Sequence, residues 1–565
     1  MNFNLLPNEI LLTFFDYLNG NDLLHTFYGL NARINALLYN QYRRYYVDFS
    51  LLSKRSFDLI CQQHIPLIAH HILVLHLSDS ESTPGQISLF FSYRPSLRQF
   101  THLRLLSFTH LRSKEILLNV AIELPHLVQL THLKFKSCSI SDYDETDFEL
   151  LMNNIWSLPN LIHFYLYIHK ESGQLFIIPS KISSSLKYLS INTEKLNWNL
   201  INQLFQCTPY LKYFHGNVDC LKDGGDYITS SFSSLTNLKI SIIASYPSTI
   251  ISFLRNIPNL LHLNIGIACP NFIDGYQWED LIRNYLPKLK TFHLSMTNLQ
   301  FIRLMTEEEI DELMNSFRSS FWIDEHQWFV RCIGGKVSID FETVSNAFYY
   351  SSDKLPSVFK STDSQDNMER LYTSMRSISD ETLFDRPISS KICFPNIDSL
   401  SVKCPINDQY WSMVSNLHQV SSLSLRFTTN FSQSELQTFL NRMPHLRSLT
   451  IRQNASLPLS MSLFNCTFPS SIHYLHLEYC RHYFNEEDCF ILSHSSLTSQ
   501  CKQLNILVTN RESIIILVKN MPNLCTLCAR CTDNEDIQWL TDHLPPTCAI
   551  SRHPSFVNQI RIWVK

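Results

Sequence analysis

Catalysis and metal binding need particular residue types at particular spacings, and four places in this sequence come near to offering them. The segment CTLCARC sets Cys525, Cys528 and Cys531 at C-x-x-C spacing. A structural zinc site takes four ligands, usually as two such pairs, and only one partial set is present. In TEEEIDEL, Glu307, Glu308, Glu309 and Asp311 gather four carboxylates. Thr306 and Glu309 have capping-box spacing there, and carboxylates in a first helical turn are favoured by the helix dipole. The GGK of residues 334–336 lacks the upstream glycine of a phosphate-cradling loop, and the chain has only 11 glycines in 565 residues. Finally His76, His102, His132, His163, His215, His262, His293 and His476 recur through the chain, but no three have a dedicated ligand spacing. With no G-x-S-x-G and no H-E-x-x-H, the expectation is no catalytic residue, no cofactor and no metal. An enzyme is not excluded, but the expectation is a chain that works by binding.

What could do the binding is set by a repeat. LPNLIHFYLYI, IPNLLHLNIGI, LPKLKTFHLSM, FPNIDSLSVKC, MPHLRSLTIRQ and MPNLCTLCARC share a proline or polar start followed by L-x-x-L-x-L. The middle apolar residue falls at Leu75, Leu103, Leu133, Phe164, Leu189, Phe214, Leu238, Leu263 and Phe292, then at Leu400, Leu423, Leu449, Leu475, Leu504 and Leu527. The L-x-L alternation is that of a short strand with one buried face. Helical patterns such as TIISFLRNI and SQSELQTFLNRM lie between, ending before the template proline. Outside one gap the intervals run from 23 to 31 residues, close to the roughly 20–29 of leucine-rich repeats. The pattern resembles that family in divergent form and implies an α/β solenoid, with parallel short strands on one side and helices on the other. Cys525 and Cys528 are then variable positions of the template rather than ligands.

The repeat also says which side chains turn away from the core. The histidines above flank the middle strand residue and share the outward parity, so they read as polar decoration of the sheet or, alternatively, as a partner affinity changing between about pH 5.5 and 7.5, since free imidazole titrates near 6.5. Lys403, Arg426 and Arg452 hold the same outward position on three consecutive repeats, with Arg530 on the last. Stacked at strand spacing, such cations would favour an anionic ligand, and acidic or phosphorylated peptides are recognised by clusters of this kind; the alternative reading is solvated residues partly neutralised by acids such as Glu478.

The N-terminus follows a different rule. In LPNEILLTFFDYLNGNDLL, Pro7 and Glu9 suit a first helical turn. Apolar side chains run almost all the way round the helix that follows. Gly20 is expected to cap its end, Asn21 or Asp22 to start a second short helix, and Asn31 to cap a third through Ile34, Leu37 and Leu38. So much apolar surface on so small a module calls for a partner. The stretch, with FYGLNARINALL after it, resembles the F-box, a motif of the form L-P-x-E-I-L-x-x-I-F-x-Y-L-x-x-x-D-L. Leu6, Pro7, Glu9, Ile10, Leu11, Phe15, Tyr17, Leu18, Asp22 and Leu23 match, with Phe14 in place of an aliphatic residue. NARIN departs from the family's usual Cys-Lys-x-Trp segment, which would weaken adaptor affinity without changing the docking mode. The resemblance covers residues 3 to about 46. It implies docking of a Skp-family adaptor through Leu6, Pro7, Glu9, Ile10, Leu11, Phe14, Phe15, Leu18 and Leu23, and through it a cullin. Together with the repeats it resembles the F-box/leucine-rich-repeat class of ubiquitin-ligase substrate receptors; an interaction scaffold without ubiquitin transfer stays open.

The expected division is 1–48 F-box, 49–70 helical connector, 71–296 first repeats, 297–393 an insertion of helix, hairpin and polar loop, and 394–565 further repeats with a C-terminal cap. A net charge of −4 gives no general attraction to nucleic acid. No apolar run reaches the length of about 18 residues needed to span a membrane. Pro7, Asn8 and Glu9 interrupt any secretory signal. The cytoplasm or nucleus is the expected location, and the 16 cysteines are read as reduced thiols.

Overall fold

The structure, a computed structural model, describes residues 5–565 except 94, 140–144, 170–175, 220–230, 270, 300–304, 335–337, 345–357, 380–392, 405–412, 415, 429–432, 454–458, 468–470, 533–536 and 554–555. It forms two compact units, Met1–Thr343 and Val344–Lys565. Each is a sheet of short parallel strands with helices in the connections, the leucine-rich-repeat-like α/β solenoid that the template implied.

In the first unit the parallel strands run in sequence order from Tyr45–Asp48 to Thr291–Leu299. One column of buried residues threads them: Val47, Leu75, Leu106, Leu133, Phe164, Leu189, Phe214, Leu238, Leu263 and Phe292 occupy matching register positions. The expected Leu103 is displaced from it. In LRQFTHLRLLSF the segment Leu103-Arg-Leu105 imitates the strand core, but Leu103 is the first leucine of L-x-x-L-x-L, and the strand Leu105–Thr109 carries Leu106 and Phe108 inward. His102 consequently lies outside any strand. The array also starts one strand earlier than expected, at Tyr45–Asp48.

The stacking device is a shared carbonyl. Thr131 O accepts from both Ile162 N and His163 N, Lys187 O from Lys212 N and Tyr213 N, and Ser421 O from Arg447 N and Ser448 N. Each strand start thus satisfies two amides on the preceding repeat, which fixes register. No repeat can bury its own apolar face, so neighbours complete it.

The insertion begins as a helix, Glu307–Ser316, with the capping box of Thr306 and Glu309 formed. Its carboxylates are helix-start residues. Val330–Gly334 and Ser338–Thr343 then pair antiparallel, as the expected hairpin requires, the latter also against Thr291–Leu299; residues 335–337 between them lie outside the described residues. Trp322 is buried and Trp328 sits 5.5 Å from Phe292, ring to ring. The polar loop expected at the end of the 297–393 insertion is not a loop where it is described. It holds the helix Met368–Ser374, capped by Asn367, and the strand Ser377–Ser379. That strand opens the parallel series of the second unit: Ile378, Leu400, Leu423, Leu449, Leu475, Leu504 and Leu527 share one column. The series ends in antiparallel strands, Phe556–Trp563 lying between Thr526–Cys531 and Ala549–His553.

At the N-terminus the helices Asn8–Phe15, Gly20–Phe27 and Ala32–Ala36 pack on the start of the first sheet. Gly20 begins the second helix instead of ending the first, and Asn19, not Asn21 or Asp22, caps it by accepting from Asp22 N at 2.8 Å. Glycine is needed there for space: a Cβ would press on the Tyr46 carbonyl.

Candidate interaction surfaces

Three surfaces bring the singled-out residues together. The first is the N-terminal helical face. Leu11, Phe15 and Leu23 point into the chain's own core and are fully buried. There Phe15 meets Phe27 edge-on at 5.1 Å and Tyr42 at 5.8 Å. Leu6 and Leu18 are half-buried, while Pro7 and Glu9 are exposed. Ile10, Phe14 and Tyr17 stay 52, 44 and 84% exposed, with Leu5 at 81%. Ile10 and Phe14 are one turn apart on the same side of the helix. The backbone before it is held by Arg33, whose Nη2 donates to Leu6 O at 2.5 Å, while its Nε donates to the Asn8 side-chain Oδ1 at 2.9 Å. The nine residues that the resemblance singled out thus divide: some build the module, and others leave an apolar stripe uncovered.

The second surface is the sheet face of the first unit. The outward column preceding the buried one carries His132, His163, Tyr188 and Tyr213 in register. The His132 and His163 rings stack at 4.2 Å and 9°, His163 and Tyr188 at 4.1 Å and 9°, and Tyr188 and Tyr213 at 6.3 Å and 34°. Thr131 Oγ1 donates to Arg104 O and lies 2.8 Å from His132 Nδ1. Its single proton being used, His132 must donate from Nδ1 and present Nε2 as an acceptor. Lys134, His215 and Lys239 stand one pleat further on, Ser190 Oγ being 3.0 Å from His215 Nδ1. Burial pushes His76, His132 and His215 below the ordinary histidine range. His163 falls to about 4, through burial first and then His132 and Lys134. The expected switch between pH 5.5 and 7.5 therefore does not hold for His163.

The sign of the resulting linkage follows. Between about 4 and the unfolded value near 6.5, the unfolded chain binds a proton that folded His163 refuses, so stability is full above 6.5 and is lost as pH falls through 4. In histidine-labelled protein, the His163 ring resonances are expected to titrate near pH 4. His163→Asn should make the thermal midpoint less sensitive to acid between pH 6.5 and 4. A His163 midpoint above 6 would refute the burial argument.

The third surface is the sheet face of the second unit, where Lys403, Arg426 and Arg452 fall in register on adjacent strands. Arg452 lies over the Tyr479 ring at 4.9 Å. Arg530 does not continue this row. The strands Tyr474–His476 and Gln503–Val508 intervene, Arg530 pairs with Leu507, and its guanidinium is held 2.8 Å from the Glu478 carboxylate. The other outward columns of the same strands are hydroxyls throughout: Ser377, Ser399, Ser422 and Ser448 on one side of the buried column, and Ser379, Ser401, Ser424 and Thr450 on the other. None makes a side-chain hydrogen bond among the described residues. Sequence reasoning missed these eight, although SLSVK, SLSLR and SLTIR repeat them at fixed offsets before each cation.

Among the described residues no group of three His, Cys, Asp or Glu could hold a metal ion. Burial raises the Cys525 thiol and buries Cys528 and Cys531 in or beside a strand. No helix among the described residues is long and apolar enough to cross a membrane.

No family model and no curated protein matches the chain. Solved structures similar to it include a leucine-rich-repeat protein of Leptospira interrogans, at 14% identity over 87% of this chain and 91% of that one, TM-score 0.24. The yeast Rad7 and Elc1 complex shares 11% identity over 80% of this chain and 86% of the other, TM-score 0.28. The plant peptide hormone receptor RGFR1, in complex with RGF2, shares 13% over 77% and 61%, TM-score 0.22. At these scores, nothing those proteins bind passes to this chain.

Proposed function

We propose that this chain is the substrate-recognition subunit of a Skp–cullin–F-box ubiquitin ligase. Its N-terminal helices hold the adaptor and its repeat sheets hold the protein substrate. It performs no chemistry itself and contributes by holding a substrate near the transfer machinery. The observation that supports this best is the uncovered apolar stripe of Leu5, Ile10, Phe14 and Tyr17, on a module whose own core is already filled by Leu11, Phe15 and Leu23. Exposed apolar surface such as that of Ile10 and Phe14, one turn apart on the same side of the helix, marks an interaction site. Of the adaptor-facing residues that the F-box resemblance implies, Ile10 and Phe14 lie on that stripe.

The test is capture of the Skp adaptor by the tagged full-length chain. Ile10→Asp is expected to abolish it, since burying an unpaired carboxylate at the interface costs several kcal/mol. Ile10 is exposed in the free chain, so the variant should keep its thermal midpoint. Unchanged adaptor capture would sink the reading. Adaptor without cullin in the same pull-down would favour the interaction scaffold lacking ubiquitin transfer.

A further inference from the structure

We propose that the hydroxyl-and-cation face of the unit Val344–Lys565 docks a phosphoserine or phosphothreonine side chain carried on an extended peptide segment. This deepens the substrate half of the reading above and is independent of its adaptor half.

The eleven outward positions on four consecutive strands carry eight hydroxyls and three cations, with no carboxylate among them. Neighbouring strands lie about 4.8 Å apart, and alternate residues along a strand about 6.7 Å apart. Arg426 and Arg452 therefore stand side by side, with Ser424 and Thr450 one pleat back. The four together surround one spot with donors from two directions. A phosphoryl group offers three free oxygens and close to two negative charges. Two oxygens can meet the neighbouring guanidiniums, and the third a hydroxyl. A carboxylate has one charge and two oxygens, which leaves either a cation or the hydroxyl unserved.

Two atoms at this spot already lack what a phosphoryl oxygen would supply. Ser424 Oγ and Arg452 Nε are both buried without a hydrogen-bond partner. Buried donors left this way are costly. The Tyr479 ring beneath Arg452 orients the guanidinium in advance, and Lys403 extends the row by one strand toward a flanking acidic residue. The hydroxyls further back both donate and accept. They suit the N–H and C=O groups of an extended peptide backbone, which a free phosphate or a lipid headgroup does not possess.

The experiment uses the full-length chain alone, without adaptor, and immobilised degenerate peptides with a central phosphoserine, serine or glutamate. Phosphopeptides should be retained about tenfold better than either control. Arg426→Gln with Arg452→Gln should remove that preference. Ser424→Ala with Thr450→Val, both arginines intact, should reduce it about threefold. Thermal midpoints establish that each variant folds. Equal retention of phosphoserine and glutamate peptides would overturn the proposal in favour of a general acidic surface. Full competition by millimolar inorganic phosphate, or preferential binding to phosphoinositide vesicles, would overturn the peptide assignment. An Ile10→Asp chain should retain phosphopeptides like the parent, so failure at the adaptor surface and failure here are read separately.

Discussion

Gly275→Ala is expected to destabilise the first unit by about 2–3 kcal/mol, more than almost any other single added methyl group. Gly275 opens the helix Gly275–Tyr285 directly against the end of the helix Glu307–Ser316. A Cβ there would lie closer to the Ser316 carbonyl than real Cβ atoms come to any oxygen, and 2.8 Å from Phe317 N. Those obstacles are backbone, so no side-chain rotation relieves them. The position is also tied on both sides. Gly275 N donates to Ser316 Oγ at 2.7 Å, and Trp322 Nε1 donates to Gly275 O at 3.3 Å. Moving the helix aside would loosen the fully buried Trp322 and the seam it seals. Gly266→Ala is the control, because its Cβ would meet only Ser241, Oγ at an ordinary 3.5 Å and Cα at 3.9 Å. Urea denaturation, with hydrogen exchange read on peptides from 262 to 316, should show a large loss for the first variant and little for the second. Equal effects would mean that the close approach is not what requires glycine.

That contrast marks one limit of reading a sequence. Both glycines look alike in the chain; one faces open sheet and the other a carbonyl 41 residues further on. Periodic features were far more legible. The buried column was readable because it needs only apolar residues at alternate positions, and its one displaced member, Leu103, failed because Leu105 completes a false L-x-L. The strands Tyr45–Asp48 and Ser377–Ser379 escaped notice for a different reason. The second buries a single apolar residue, Ile378, between two serines, and its strand form is templated by Ser399–Cys404.

The candidate surfaces divide in the same way. Lys403, Arg426 and Arg452 stand together because one template position repeats on adjacent strands. Arg530 holds the same position, yet its surroundings come from Glu478, in a short helical turn that the repeat does not describe. On the N-terminal helix, composition showed a surplus of apolar surface. Which residues close the core and which remain uncovered depended on the packing of Phe27, Tyr42 and Tyr45. The histidine row was visible, but the lowered proton affinity of His132 and His163 comes first from burial, their rings stacked between strands 31 residues apart.

Leu449→Ala is expected to cost the second unit about 2–5 kcal/mol, the range for truncating a fully buried leucine. Leu449 is 0% exposed and lies in register between Leu423 and Leu475. Its strand neighbour Ser448 faces the other way, so Ser448→Ala should change stability by less than about 0.5 kcal/mol. In a stack where each repeat contacts only its neighbours, the loss of hydrogen-exchange protection should concentrate on Ser422–Phe427 and Tyr474–His476. The same pair of variants connects the core to the surface above it. Arg426 and Arg452 stand side by side only because Leu423 and Leu449 lock their strands three residues earlier. Leu449→Ala should therefore weaken phosphopeptide retention although it removes no atom that a ligand would touch. Ser448→Ala, which does alter the outer face, should leave the Arg426–Arg452 rung in place. If Leu449→Ala lowers stability and leaves retention intact, the register of the two arginines is held by something other than the buried column.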